Sequence, residues 1–85
     1  MIKLTTPMQQ LIGLMFTKKK KEVMFVFKED KHIGIHTWFC RYDLDIWFLD
    51  SEYRCVDYVI GLKPWKYYKP CNKFRYIVEV PHRAT

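Results

Sequence analysis

The sequence predicts a small α+β fold, mainly β, in which a curled antiparallel sheet or partly closed barrel carries one short N-terminal helix. Its 85 residues suffice for one hydrophobic core, so we expect 1–85 to form a single domain. Apolar residues make up 49% of the chain, which permits a packed interior. Five segments are rich in β-branched and aromatic residues and are separated by charged, Gly or Pro residues, as strands are.

A capping signal indicates the N-terminal helix. In Thr6-Pro7-Met8-Gln9 the threonine can accept a hydrogen bond from the first turn, and the proline suits the first helical position. Apolar residues then recur with helical spacing at Met8, Leu11, Ile12 and Met15. We therefore predict a helix over 6–15 that covers one face of the sheet.

The predicted strands are 22–28, 33–39, 44–49, 54–60 and 74–80. Only four residues separate the second strand from the third and the third from the fourth, which is a hairpin length. These three strands are therefore predicted to form an antiparallel meander. Strand 44–49 is mostly apolar on both faces, so each side needs a cover.

The composition favours a basic cytoplasmic protein. The formal charge of +6 suits polyanionic partners such as RNA, although a solubilising surface has the same composition. The longest apolar run, 23–27, is far too short to cross a bilayer, and no secretory signal is recognisable at the start. No membrane is therefore expected as a partner. Cys40, Cys55 and Cys71 are odd in number and not paired in spacing, so we expect free thiols and no disulfide.

Five stretches occur in an order that resembles the family known as domain of unknown function 192, in its short archaeal form. They are Gly13-Leu14-Met15-Phe16, Met24-Phe25-Val26-Phe27, the stretch from His36 to Asp50, Leu62-Lys63-Pro64-Trp65, and Tyr76-Ile77-Val78-Glu79-Val80-Pro81. The resemblance covers nearly the whole chain. It implies a compact β-rich α+β domain and supplies no established activity, cofactor or catalytic residue.

Two departures from the family pattern bear on the fold. Asp43 stands where the family typically has a proline, which implies a less rigid corner. The family usually continues past the last motif with a glycine and a further strand, whereas this sequence ends at Thr85. Strand 74–80 is therefore expected to keep an open edge that a protein partner could use.

One predicted constellation surrounds Asp45. If the two hairpins pair as their loop lengths suggest, Trp38 and Tyr58 lie opposite Asp45 and His36 lies on the diagonal. Together with Trp65, these four residues are the candidate ligand-binding set. Asp45 is expected to accept hydrogen bonds from His36, Tyr58 or backbone amides, because an unpaired buried carboxylate is costly. The alternative is a His36–Asp45 pair poised for proton transfer, for which no nucleophile or phosphate-binding loop accompanies it.

Other candidate sites have simpler interpretations. His32 and His36 are four apart, which separates them by about 13 Å on a strand, and the cysteines form no ligand pairs, so no metal or cofactor is expected. Glu79 is expected in an ion pair or hydrogen bond at a sheet edge.

The segment after residue 62 interleaves cations with aromatic rings, as surfaces for single-stranded nucleic acid do. The candidate nucleic-acid-binding residues are Lys63, Lys66, Tyr67, Tyr68, Lys69, Lys73 and Arg75. Trp65 within it is predicted to turn back onto the core as a plug, with a ligand pocket as the alternative.

These features favour a small non-enzymatic binding or accessory module for which no reaction can be inferred. The alternative is a basic protein associated with RNA, such as ribosomal RNA, and the third hypothesis is a small enzyme that uses His36 and Asp45.

Overall fold

A computed structural model of the chain describes residues 2–4, 22–37 and 42–82. These contain seven strands: β1 (Ile2–Leu4), β2 (Val23–Lys31), β3 (Ile35–His36), β4 (Leu44–Leu49), β5 (Cys55–Leu62), β6 (Tyr67–Tyr68) and β7 (Phe74–Pro81). One sheet has the order β1-β2-β7-β4-β5, and β3 pairs with β6 in a second, two-stranded sheet. Every pair is antiparallel except β1 with β2. The predicted β-rich antiparallel fold is confirmed.

The predicted elements compare unevenly with the observed ones. Strand 44–49 has the predicted bounds, and the segments 22–28, 54–60 and 74–80 contain most of β2, β5 and β7. Only Ile35–His36 of the segment 33–39 is a strand within the described residues, and β1 and β6 were not predicted. The helix predicted over 6–15 lies outside the described residues. In the part of the chain that the structure describes, the five-stranded sheet is open, with β1 and β5 at its edges.

The predicted meander is wrong in one of its two pairings. β4 pairs with β5 as expected, but its other neighbour is β7 rather than the segment before it. β7 thus lies between β2 and β4, and the prediction of an open edge at 74–80 is also wrong. Loop length indicates which strands can form a hairpin, but it carries no information about a distant strand that satisfies the same backbone groups on β4.

The core lies on one face of the five-stranded sheet, called here the inner face. It is formed by Val23, Phe25, Leu44, Ile46, Phe48 and Ile77, all buried. The two-stranded sheet packs over this face, where Tyr68 stacks on Phe48 with 5.8 Å between the ring centroids. The opposite, outer face carries the alternate residues of β4, which are only half-buried.

The described residues include no helix long and apolar enough to span a membrane.

Candidate functional site

The structure separates the residues predicted to converge on Asp45. Tyr58 pairs with Trp47 rather than with Asp45, because β5 has two irregularities in its register against β4. His36 lies on β3, in the other sheet, and Trp38 lies outside the described residues. The predicted cluster of His36, Tyr58 and Asp45 is therefore wrong in its register.

Asp45 is instead bonded to a histidine that the predicted pairings did not bring near it. Its Oδ1 lies 2.8 Å from His82 Nδ1 and accepts a hydrogen bond from the Gly61 amide, also at 2.8 Å. Gly61 has φ 68° at the irregularity where β5 slips against β4, a conformation that glycine adopts without strain. The register alone brings His82 close, since Asp45 pairs with Val80 two residues before it. Asp45 and His82 are 37 positions apart in the sequence, so no local spacing indicated this contact.

Asp45 therefore joins the ends of β4, β5 and β7. A carboxylate has only acceptor atoms, so His82 donates from Nδ1, and the neutral form of the imidazole then has an acceptor at Nε2. The amide of Gly61 would otherwise have no β4 carbonyl to meet, because the strand is irregular there. The pair orients the imidazole at the edge of the outer face.

We expect Asp45→Ala to lower the free energy of unfolding by about 1–2 kcal/mol, because it leaves the Gly61 amide and the His82 imidazole without their acceptor. The effect is limited because water reaches this half-buried site. Chemical denaturation at pH 7 measures it, with Asp43→Ala as the control, since no described contact uses the Asp43 side chain. Equal stability of the Asp45 variant and the native chain would contradict this structural role.

A second cluster of hydrogen bonds fixes the turn after β5. Thr37 is 1% exposed, and its Oγ1 donates to the Lys63 carbonyl at 2.6 Å and accepts from the Lys66 amide at 2.9 Å. Its main chain also accepts from the Trp65 amide at 3.0 Å and donates to the Lys66 carbonyl at 2.9 Å. One buried threonine thus holds both ends of the turn 63–66.

This turn presents Trp65 to solvent. The residue is 61% exposed and has φ 62°, a left-handed backbone conformation that is unfavourable for a non-glycine residue. The prediction that Trp65 plugs the core is therefore wrong. The physical reason is that the bonds to Thr37 fix the backbone of the turn, and the ring's direction follows from the backbone.

Tyr67 and His36 lie side by side on the face of the two-stranded sheet that points away from the core. Their ring centroids are 5.0 Å apart, and Tyr67 is more than half exposed. The Tyr67 ring lies directly over Gly34, where a Cβ would collide with it. The absence of a side chain at Gly34 therefore leaves the room that the Tyr67 ring occupies.

Four exposed lysines lie close to these rings in the sequence. Lys63, Lys66, Lys69 and Lys73 are all exposed, and none forms an ion pair with a described carboxylate. We call Trp65, Tyr67, His36 and the three lysines nearest in sequence, Lys63, Lys66 and Lys69, the aromatic-lysine surface.

Two of the predicted nucleic-acid-binding residues, Tyr68 and Arg75, form contacts within the protein. Tyr68 alternates inward from Tyr67 and donates from its hydroxyl to Asp57 at 2.9 Å, and burial together with that carboxylate raises its pKa to about 12. Arg75 forms an ion pair with Asp30 at 3.0 Å. Tyr68 and Arg75 are only partly exposed, whereas the four lysines are exposed.

Asp57 joins β5 to β6 and to the residues that follow β6. Its Oδ2 accepts from the Tyr68 hydroxyl and from the Cys71 amide, each at 2.9 Å. Burial alone would raise its pKa, but these bonds hold the pKa below its ordinary value. Cys55 and Cys71 are exposed free thiols, and no cluster of three metal-binding side chains occurs among the described residues.

Glu79 differs from every other described carboxylate, because it is 4% exposed and lies at the centre of the sheet. Its main-chain partners on the two sides are Val23 and Ile46, which are both buried and apolar. Burial raises the pKa of its carboxyl to about 7. The expected ion pair at a sheet edge is therefore wrong, since β7 is a central strand.

The family model for DUF192, described as uncharacterized ACR, matches residues 3–85. The chain belongs to the DUF192 family. This confirms the resemblance seen in the sequence. Because the family is uncharacterised, membership supplies no reaction.

The curated relatives are archaeal. A UPF0127 protein of Pyrococcus horikoshii is 40% identical over 75 residues, which are 86% of this chain and 64% of that protein. A UPF0127 protein of Pyrococcus furiosus is 37% identical over the same shares of the two chains. The chain thus spans slightly less than two thirds of the length of these DUF192 relatives.

Two solved structures share the fold. A protein of unknown function from Novosphingobium aromaticivorans has a TM-score of 0.82 at 16% identity, covering 94% of this chain and 61% of that one. A Sinorhizobium meliloti protein, provisionally described as a transcription regulator, has a TM-score of 0.83 at 18% identity, covering 94% and 66%. At such identities the likeness shows the fold alone.

Proposed function

We propose that this chain is a non-enzymatic binding module that takes single-stranded nucleic acid on its aromatic-lysine surface. The observation that carries the proposal is the outward Trp65 on a turn pinned by a buried threonine. Burial of an indole ring against apolar neighbours is normally favourable. Here the backbone of Trp65 is held in an unfavourable conformation, and the side chain remains mostly exposed.

The chemistry of the neighbours favours a polyanion with flat rings. Lys63, Lys66 and Lys69 alternate in the sequence with Trp65 and Tyr67, so one short segment carries both exposed cations and exposed aromatic rings. Nucleobases stack on such rings for about 1–3 kcal/mol each, and lysines pair with the phosphates between them. A solubilising surface needs the charges alone and gains nothing from exposed aromatic rings.

The enzymatic alternative has less support. The predicted His36–Asp45 pair is not formed, because the two residues lie in different sheets. His82 replaces His36 beside Asp45, but no serine, threonine or cysteine is bonded to it among the described residues.

The first test is the salt dependence of binding. Replacing Lys66 and Lys69 with Ala should reduce the slope of log affinity against log salt by about 1.4, which is about 0.7 for each lost contact with a single strand. Fluorescence anisotropy of a labelled 12-nucleotide strand at several salt concentrations measures it. The control is the double variant of Lys3 and Lys28, exposed on β1 and β2, which removes the same charge and should leave the slope nearly unchanged.

The same titration separates stacking from charge. Trp65→Ala should weaken binding about tenfold or more at every salt concentration while thermal unfolding stays nearly unchanged, because the ring is exposed. Tyr53→Ala is the matched control: Tyr53 is 62% exposed, has φ 64° and lies in the β4–β5 turn at the other end of the hairpin. Equal losses in both variants, or no binding by the native chain, would contradict the proposal.

A further inference from the structure

His82 lies at the end of the sheet that leads into Lys63 of the aromatic-lysine surface. A binding role for His82 rests on the proposed function and narrows the class of nucleic acid that the chain binds. Leu62, Leu44 and Pro81 lie side by side in the register of β5, β4 and β7. Lys63 and His82 directly follow the ends of β5 and β7, so both occur at the same end of the sheet, about 10 Å apart across two strand spacings. Lys63, the first lysine of the aromatic-lysine surface in the sequence, therefore lies at the same end of the sheet as His82.

The imidazole itself leans towards the strand that leads into Lys63. Its Nε2 and Cε1 atoms lie 3.8 Å from the position that a Cβ on Gly61 would occupy. Gly61 precedes Lys63 by two residues, or about 7 Å of strand. A strand of nucleic acid that pairs a phosphate with Lys63 and rounds the end of the sheet onto the outer face passes over the ring.

The tautomer decides what this ring can bind. Nδ1 donates to the Asp45 carboxylate at 2.8 Å, and in the neutral form of the imidazole this leaves Nε2 as an acceptor. No described residue bonds to Nε2. A phosphate offers only acceptors, so this neutral form makes no hydrogen bond to a phosphate from Nε2. The ligand group that matches it is a hydroxyl that donates.

We propose that His82 accepts a hydrogen bond from a ribose 2′-hydroxyl and so makes the module select RNA over DNA. The 2′-hydroxyl is the group on the sugar that distinguishes the two polymers, and a single acceptor placed on it gives selectivity without reading any base. Asp45 is then a positioning residue, because it acts only through the imidazole.

The test compares three 12-nucleotide single strands of one sequence: RNA, DNA and 2′-O-methyl RNA. The native chain should bind the RNA about five- to tenfold more tightly than the other two, which is the value of one hydrogen bond. His82→Phe, which keeps a flat ring, should lower RNA affinity to the DNA value and leave DNA affinity unchanged.

The 2′-O-methyl strand supplies a readout that needs no variant, since it keeps the ribose but removes the donated hydrogen. Equal binding of all three strands by the native chain would overturn the role of His82 while leaving the proposed function intact. An RNA preference that persists in His82→Phe would do the same. Binding of none of the three strands would overturn the proposed function and this inference together.

Discussion

Replacing Glu79 with glutamine should abolish a loss of stability that the native chain undergoes as the pH rises from about 4.5 to 7. Burial raises the carboxyl pKa from 4.5 to about 7, so the folded state binds the proton more tightly than the unfolded state. The stabilisation from this group is complete below pH 4.5 and is lost as the pH passes 7. The loss is on the order of 3 kcal/mol, because each pKa unit corresponds to about 1.4 kcal/mol.

The measurement is the free energy of unfolding by urea at intervals from pH 4.5 to 8. The native chain should weaken over this range, and Glu79→Gln should stay level. Glu22→Gln, which alters an exposed carboxylate, is the control and should follow the native chain. The depressed pKa of Asp57 contributes in the opposite sense and below this window, since its stabilisation is lost only as the pH falls under about 4. Parallel curves for the native chain and Glu79→Gln would refute the assignment.

Thr37→Val should lower the free energy of unfolding by about 2–3 kcal/mol and weaken nucleic-acid binding about tenfold. Valine has nearly the shape of threonine but no hydroxyl, so the Lys66 amide and the Lys63 carbonyl lose their partner in a buried position. The turn is then no longer held in the conformation that presents Trp65. Urea denaturation and anisotropy on the same samples measure the two effects.

The matched variant is Thr37→Ser, which keeps the hydroxyl and removes only a methyl group. It should retain most of the binding and lose about 1 kcal/mol of stability at most. If the serine variant binds as weakly as the valine variant, the methyl group and not the hydrogen bonds controls the turn, and the account of Trp65 fails.

The elements that the sequence predicted well are those whose pattern is local. β4 has the predicted bounds because Leu44, Ile46 and Phe48 alternate with half-buried residues over its whole length. β6 was missed because its two tyrosines lie among lysines and prolines, and they form a strand only by pairing with β3. The position of β7 between β2 and β4 depends on residues about 50 and 30 positions away, which no local pattern contains.

The candidate sites show the same limit. The sequence indicated correctly that Asp45 needs hydrogen-bond donors. Which groups donate could not be predicted, because it depends on a bulge at Gly61 and on the position of β7 in the sheet. Trp65 was predicted inward because proline and apolar residues precede it. Its actual direction follows from bonds to Thr37, which lies 28 positions earlier in the chain and in a different sheet region.

The contact between Gly34 and Tyr67 links the two positions in sequence variation. A Cβ at 34 would collide with the tyrosine ring in its present position, so another residue there requires the ring to rotate away or a smaller side chain at 67. Within DUF192 proteins that keep this turn, a ring at the second position should accompany glycine at the first, and the loss of one should accompany the loss of the other. Such paired substitution would show which proteins keep the tyrosine ring in this position and which have lost the aromatic-lysine surface.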